Sequence, residues 1–215
     1  MMGLKLYGVL RSRASRVAWL CNELGMSYEH VPVMQAYRLA DLAAPDAPFN
    51  TASPEYRKVN ANGLIPTIDD DGFVMHESLA INLYLAKKHG GALAPRDARE
   101  EALMTMWALW AATEVEPRSV VIVMNMGKNQ DIVDAAAAAL PGPFGVLEAA
   151  LERGGGHIVG GRFTVADLNT AEVLRYAQTV PALFDRFPAV KAWIAACQSR
   201  PAFKSMMAAR EKEPA

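Results

Sequence analysis

Asn60-Ala61-Asn62-Gly63-Leu64-Ile65-Pro66-Thr67-Ile68 sets a proline at the head of a short apolar run. Proline has no amide hydrogen to give a ladder, so it belongs at the start or edge of a strand. A cis Ile65-Pro66 bond would turn the N–H and C=O of Ile65 outward, where an extended peptide could pair with them like an added strand. A trans proline opening an ordinary strand satisfies the same residues. Just beyond, Asp69-Asp70-Asp71-Gly72 divides the strands Ile65 to Ile68 and Phe73 to His76, a strong hairpin signal. Ser78 then opens a helix through Lys88, with Leu79, Leu83 and Ala86 at helical spacing.

Upstream, Leu4 to Tyr7 is a strand candidate ending at Gly8. Val17, Leu20, Cys21 and Leu24 then lie at i, i+3, i+4 and i+7, the apolar face of a helix that Gly25 caps. Tyr28 to Val33 alternates as a second strand, which makes a βαβ opening with parallel strands. Met34 to Ser53 lacks periodicity and reads as a long loop, suited to a functional edge or mobile lid; Pro54 starts a helical turn through Val59.

After residue 91 the pattern turns helical. Residues 92–97 form a linker, and Arg99 to Asn125 and Gln130 to Arg153 are long helical stretches, the second broken by Pro141 and Pro143. Thr164-Val165-Ala166-Asp167 matches a capping box with aspartate in the returning position. Helices over Val165 to Val180 and Ala189 to Ser199, then a weak one from Pro201, complete the chain. The expected architecture is an α/β domain over residues 1–91 followed by an all-α domain over residues 98–215.

Composition excludes several classes. Of 215 residues, 52% are hydrophobic and 21% charged, with a net charge of -1, so nothing steers the chain toward nucleic acid or an anionic membrane. No apolar run approaches a membrane span, and arginines and Lys5 interrupt any signal-peptide core. Cys21 and Cys197 fit neither a C-x-x-C pair nor a metal site, which suits a reduced cytoplasmic protein without a metal.

Three weak signals carry chemistry. Ser78 with Glu77 could hold the carboxylate and ammonium of an amino-acid head group, although a serine there also simply caps a helix. In Arg11-Ser12-Arg13-Ala14-Ser15-Arg16, a serine hydroxyl at a helix start could donate to a bound thiolate, and helix dipole and arginines would lower that thiol's pKa. Capping again explains Ser12 equally well. Met104, Trp107, Trp110, Ala111 and Glu114 share one helical face that could line an apolar pocket, or be core. No G-x-S-x-G elbow and no phosphate-binding loop are present.

These stretches, in this order, resemble the cytosolic glutathione S-transferase superfamily, in its bacterial, serine-using form. The matching residues are Lys5 to Gly8, Arg11 to Val17, Asn60 to Ile68, His76-Glu77-Ser78 and Phe163 to Asp167. The resemblance implies a thioredoxin-like N-terminal domain, an all-helical C-terminal domain and a homodimer. It implies glutathione as co-substrate, with Ile65 pairing its backbone with the ligand ahead of a cis Pro66, and Glu77 and Ser78 holding the γ-glutamyl group. It also implies conjugation to a small apolar electrophile, with Ser12 as the catalytic hydroxyl and Tyr7 and Ser15 as the other candidates. A catalytically silent binding or assembly module is the alternative reading, and an isomerase of the maleylacetoacetate type lacks its Ser-Ser-Cys turn here. Leu64 departs from the family pattern, where a polar or basic residue often contacts the ligand.

Overall fold

The computed structural model describes residues 3–42, 44 and 46–213; Ala43 and Pro45 of the expected loop, residues 1–2 of the expected first domain and residues 214–215 of the second lie outside it. The chain groups into two compact units, residues 1–85 with 201–215, and residues 86–200.

In the first unit, β1 (Leu4–Tyr7), α1 (Ala14–Leu24) and β2 (Glu29–Val31) form the expected βαβ start, with Leu6 opposite His30 in the parallel pair. Gly25 ends α1 in the left-handed conformation, φ 63°, as its position predicts. α2 (Pro54–Val59) precedes β3 (Thr67–Asp70), β4 (Phe73–His76) and α3 (Ser78–His89). The sheet order is β2-β1-β3-β4, with β3 antiparallel to both neighbours.

Two local expectations are corrected. β3 starts at Thr67 rather than Ile65 and takes in Asp69 and Asp70, because the turn needs only Asp71 and Gly72, both at positive φ (54° and 93°). Asp70 is accommodated by a 2.7 Å bond from the Tyr84 hydroxyl. The buried face of α3 is Ser78, Ile81, Asn82, Leu85 and Ala86; Ala86 lies inside as expected, whereas Leu79 and Leu83 are only half-buried. Hydrophobicity alone picked the wrong rows, because Arg16 supplies polar partners that make Ser78 and Asn82 acceptable inside.

The last helix, α11 (Pro201–Glu211), packs against α1 in this first unit. Phe203 sets its ring edge-on to Trp19 at 4.9 Å, and Asn22 donates to the Ala202 carbonyl at 3.2 Å. This places the C-terminal segment beside the turn that follows β1.

The second unit comprises α4 (Ala98–Trp110), a π turn (Ala111–Val115), α5 (Glu116–Asn125), α6 (Gln130–Ala138), α7 (Pro141–Arg153), α8 (Val165–Leu174), α9 (Pro181–Asp185) and α10 (Pro188–Ser199). The long helical stretch expected from Arg99 to Asn125 is helical throughout but widens into the π turn, and Pro117 is the reason. It has no amide hydrogen for the Thr113 carbonyl, and its ring crowds that group. Arg118 takes over, donating to the Thr113 and Glu114 carbonyls at 3.3 and 2.7 Å. At the other end of α4, Glu100 receives Arg162 through two bonds of 2.8 and 2.9 Å, plus Arg96. The Arg162 and Arg96 bonds hold its carboxyl well below the usual range. No single helix among the described residues is long and apolar enough to cross a membrane.

Candidate functional site

The turn from Gly8 to Arg13 connects β1 to α1 and carries the serine. Gly8 sits at φ 133°, and a Cβ added there would stand 3.1 Å from the Ile65 Cβ and 3.3 Å from that of Ala14. A side chain would force these apart, so glycine permits the β1 end, the α1 start and Ile65 to converge. Ser12 is half-buried in this turn. Its Oγ donates to the Val9 carbonyl at 2.6 Å and accepts from the Ala14 amide at 3.0 Å. α1 itself begins two residues later, yet the Ser12 hydroxyl does satisfy one of its free amides.

The other two hydroxyls differ. Ser15 is fully buried and donates to the Ser12 carbonyl at 3.0 Å, which gives it a supporting part. Tyr7 is half-buried, with its ring 6.3 Å from that of Tyr56. Cys21 is buried, and desolvation pushes its thiol up to about 12, so it is an inert core residue.

Beside the serine turn, Ile65-Pro66 is cis. Tyr56 and Asn60 hold this segment from both sides. The Tyr56 hydroxyl donates to the Leu64 carbonyl at 2.6 Å, and so accepts from Thr67 at 3.0 Å. Asn60 Nδ2 donates to the same two oxygens, each at 3.0 Å. Burial raises the Tyr56 hydroxyl's pKa, which keeps it a donor at neutral pH. These bonds engage Leu64 and Thr67 but leave the Ile65 amide and carbonyl without a partner among the described residues. Leu64 spends its carbonyl on this brace and exposes its side chain.

At the start of α3, Glu77 is exposed at φ 73° and its carbonyl accepts the Ile81 amide at 2.8 Å. Glu77 is therefore the capping residue, and Ser78, expected in that place, is the first residue of the helix. Ser78 Oγ faces inward and receives Arg16 at 3.1 Å, with Arg16 only 1% exposed. A buried guanidinium behind a helix N-terminus adds to its positive end, and an exposed carboxylate sits next door. That pairing suits a ligand with a carboxylate and an ammonium. The sequence motif assigns its arginines only to lowering a thiol's pKa; Arg16 instead turns inward to Ser78, and the signal for that was a charge one turn before Leu20, on the apolar side of α1.

The loop over residues 34–53 is pinned at its ends by a parallel bridge between Met34 and Asn50. A cavity of about 700 Å³ opens between this loop, the serine turn and α11, its walls including Leu10, Met34, Phe49 and Ala209. In the second unit, Met104, Trp107 and Ala111 are buried, Trp110 is half-buried and Glu114 exposed. Most of that stripe is core.

Residues 6–93 match the glutathione S-transferase N-terminal domain family, and residues 110–201 its C-terminal domain. Glutathione S-transferase 3 of Zea mays is 32% identical over 224 residues, spanning 97% of this chain and 95% of that protein. Among solved structures, glutathione transferase F7 from Populus trichocarpa superposes with a TM-score of 0.80 at 28% identity, covering 96% of this chain and 99% of that one. A glutathione S-transferase-I bound with lactoylglutathione superposes with a TM-score of 0.81 at 27% identity, over 97% of this chain and all of the other.

Proposed function

The chain belongs to the glutathione S-transferase family, and we propose that it binds glutathione on its first unit and transfers the sulfur to a small apolar electrophile. The observation that carries this reading is the unpartnered backbone of Ile65, held beside the Ser12 turn by Gly8 and braced by Tyr56 and Asn60. A tripeptide lying antiparallel to Ile65 gains two backbone bonds there. Its γ-glutamyl end then reaches Glu77 for the ammonium, and Ser78 with the α3 N-terminus for the carboxylate. Its sulfur reaches Ser12. The hydroxyl stabilises the thiolate by donating to it, and the serine forms no covalent bond. In this reading residues 1–91 act as the glutathione-binding domain and residues 92–97 as the linker to the helical domain over 98–215; the compact units divide instead after residues 85 and 200, so residues 86–91 group with the helices and α11 with the first unit.

Glutathione at a hundred times its dissociation constant should stabilise the protein by about 2.7 kcal/mol. For a chain of this length that raises the melting temperature by roughly 5–10 °C. An unmoved melting curve at millimolar glutathione would sink the proposal.

The same reading includes a homodimer in the cytoplasm. Leu103, Met106 and Leu109 lie exposed along one side of α4, and Phe73 and Val74 are exposed on β4. Apolar faces of this kind are commonly covered by a second copy. Sedimentation should give twice the 23.3 kDa chain mass, and a monomer at micromolar concentration would reject the dimer. Both cysteines are free, which fits a reducing compartment.

A further inference from the structure

Glu213 lies just past α11, some two hundred residues from the serine turn, yet its carboxylate bonds directly to that turn. Its Oε1 accepts the Leu10 amide at 2.8 Å and its Oε2 the Arg11 amide at 3.0 Å. Arg11 answers through its side chain, with Nε donating to the Glu213 carbonyl at 3.1 Å and a terminal nitrogen 3.5 Å from the Glu211 carbonyl. The Glu213 side chain is only 14% exposed, and His30, itself bonded to the Gly8 carbonyl at 2.8 Å, stands 3.8 Å from it. The clasp thus grips two of the three peptide groups between Val9, which accepts the Ser12 proton, and Ser12 itself.

We propose that Glu213 is a positioning residue for glutathione transfer, holding the Val9–Arg11 turn so that the Ser12 hydroxyl is presented to the thiolate. The proposal rests on Ser12 being the thiolate donor. Adjacent amides of this kind would otherwise be solvated and the turn free to rotate, and a donor aimed in advance stabilises charge better than one that must first be ordered. Charge alone gives the opposite sign: a carboxylate near the thiolate raises the thiol's pKa, so removing it would lower that pKa. The fourfold anchoring of one short turn favours the geometric effect. Arg11, His30, Tyr28 and Lys212 are the titratable groups around Glu213, from the turn, β2 and its approach, and the end of α11.

The test is the pH dependence of kcat/KM and of thiolate absorbance in the full-length protein. It uses Glu213→Ala, Glu213→Gln, Ser12→Ala and the Ser12→Ala/Glu213→Ala pair. Glu213→Ala should raise the bound thiol's pKa by roughly half to one unit and lower kcat/KM about three- to tenfold below that pKa, with glutathione KM within about twofold. Glu213→Gln, which keeps one acceptor, should fall between. In the Ser12→Ala background the Glu213 change should add nothing further, since it acts through the serine. A lower or unmoved pKa in Glu213→Ala overturns the proposal, including when the melting temperature drops. So does an undiminished shift in the double variant. If Ser12→Ala alone leaves the pKa unmoved, the serine assignment is the part that failed.

Discussion

Ser12→Ala lowers kcat/KM for glutathione conjugation about ten- to hundredfold near neutral pH, and raises the pKa of the bound thiol by roughly one to two units. In the free protein the Ser12 oxygen is fixed by the Ala14 amide, while its single proton points to the Val9 carbonyl. Rotation about the Cβ–Oγ bond carries that proton from Val9 to an arriving sulfur without losing the Ala14 bond. The thiolate therefore meets a donor whose oxygen is already placed. A hydrogen bond to a charged group contributes about 1.5–3 kcal/mol, and one pKa unit corresponds to about 1.4 kcal/mol. Losing the donor destabilises only the ionised form, so the pKa rises. The rate deficit is full at acid pH and shrinks as pH climbs past the thiol's pKa. Alanine also removes the cap on Ala14, at about 1 kcal/mol of stability, so rates should be compared well below the melting temperature. An unshifted pH profile in the folded variant would move the role to Tyr7, with Tyr7→Phe as the next measurement.

The sequence carried the layout of the first unit because its signals were local. Gly25 capping α1, the Asp71-Gly72 turn and the alternation from Tyr28 to Val33 each follow from the conformational limits of a few neighbouring residues. The site was legible as three separate fragments. What brought them together, the missing Cβ of Gly8 against Ile65, depends on a contact between residues more than fifty positions apart, and spacing cannot express it. The same limit hid Arg16 and Glu213. A buried arginine looks like a misplaced surface charge until Ser78 appears beside it, and a terminal glutamate looks like solvated tail until the Leu10 and Arg11 amides are seen to close on it. The buried face of α3 failed for a related reason: ranking by apolarity discards Ser78 and Asn82, whose burial is set by their partner. The widening at Pro117 was readable in principle, since proline's lost bond is local, but its repair by Arg118 was not.

The capping box predicted at Thr164 holds more than a helix end, which makes Asp167 a sensitive position in the second unit. Its side chain is fully buried. Oδ2 accepts from the Thr164 amide at 2.8 Å and the Thr164 hydroxyl at 3.1 Å; Oδ1 accepts from the Ile158 amide at 3.1 Å and from Trp193 Nε1 at 2.9 Å. One carboxylate thus joins the loop before α8, the start of α8 and the middle of α10. Asp167→Ala leaves those donors without an acceptor, and each buried unsatisfied group costs about 1–3 kcal/mol. Relaxation recovers part of that sum, so we expect a loss of roughly 3–5 kcal/mol in urea unfolding and a melting temperature lower by on the order of 10 °C. Asp167→Asn separates geometry from size. Turned one way, its NH2 faces the Ile158 amide and Trp193 Nε1; turned the other, it faces the Thr164 amide while the Thr164 hydroxyl can rotate to accept, so at least one fixed N–H stays opposed and asparagine should still cost a sizeable part of the alanine loss although its volume matches. An asparagine variant within about 1 kcal/mol of the parent would mean that the four donors do not converge on one carboxylate. Because Asp167 belongs to the second unit and touches none of the residues assigned to glutathione, the folded fraction of either variant should keep the parent's thiol pKa, in contrast to Ser12→Ala.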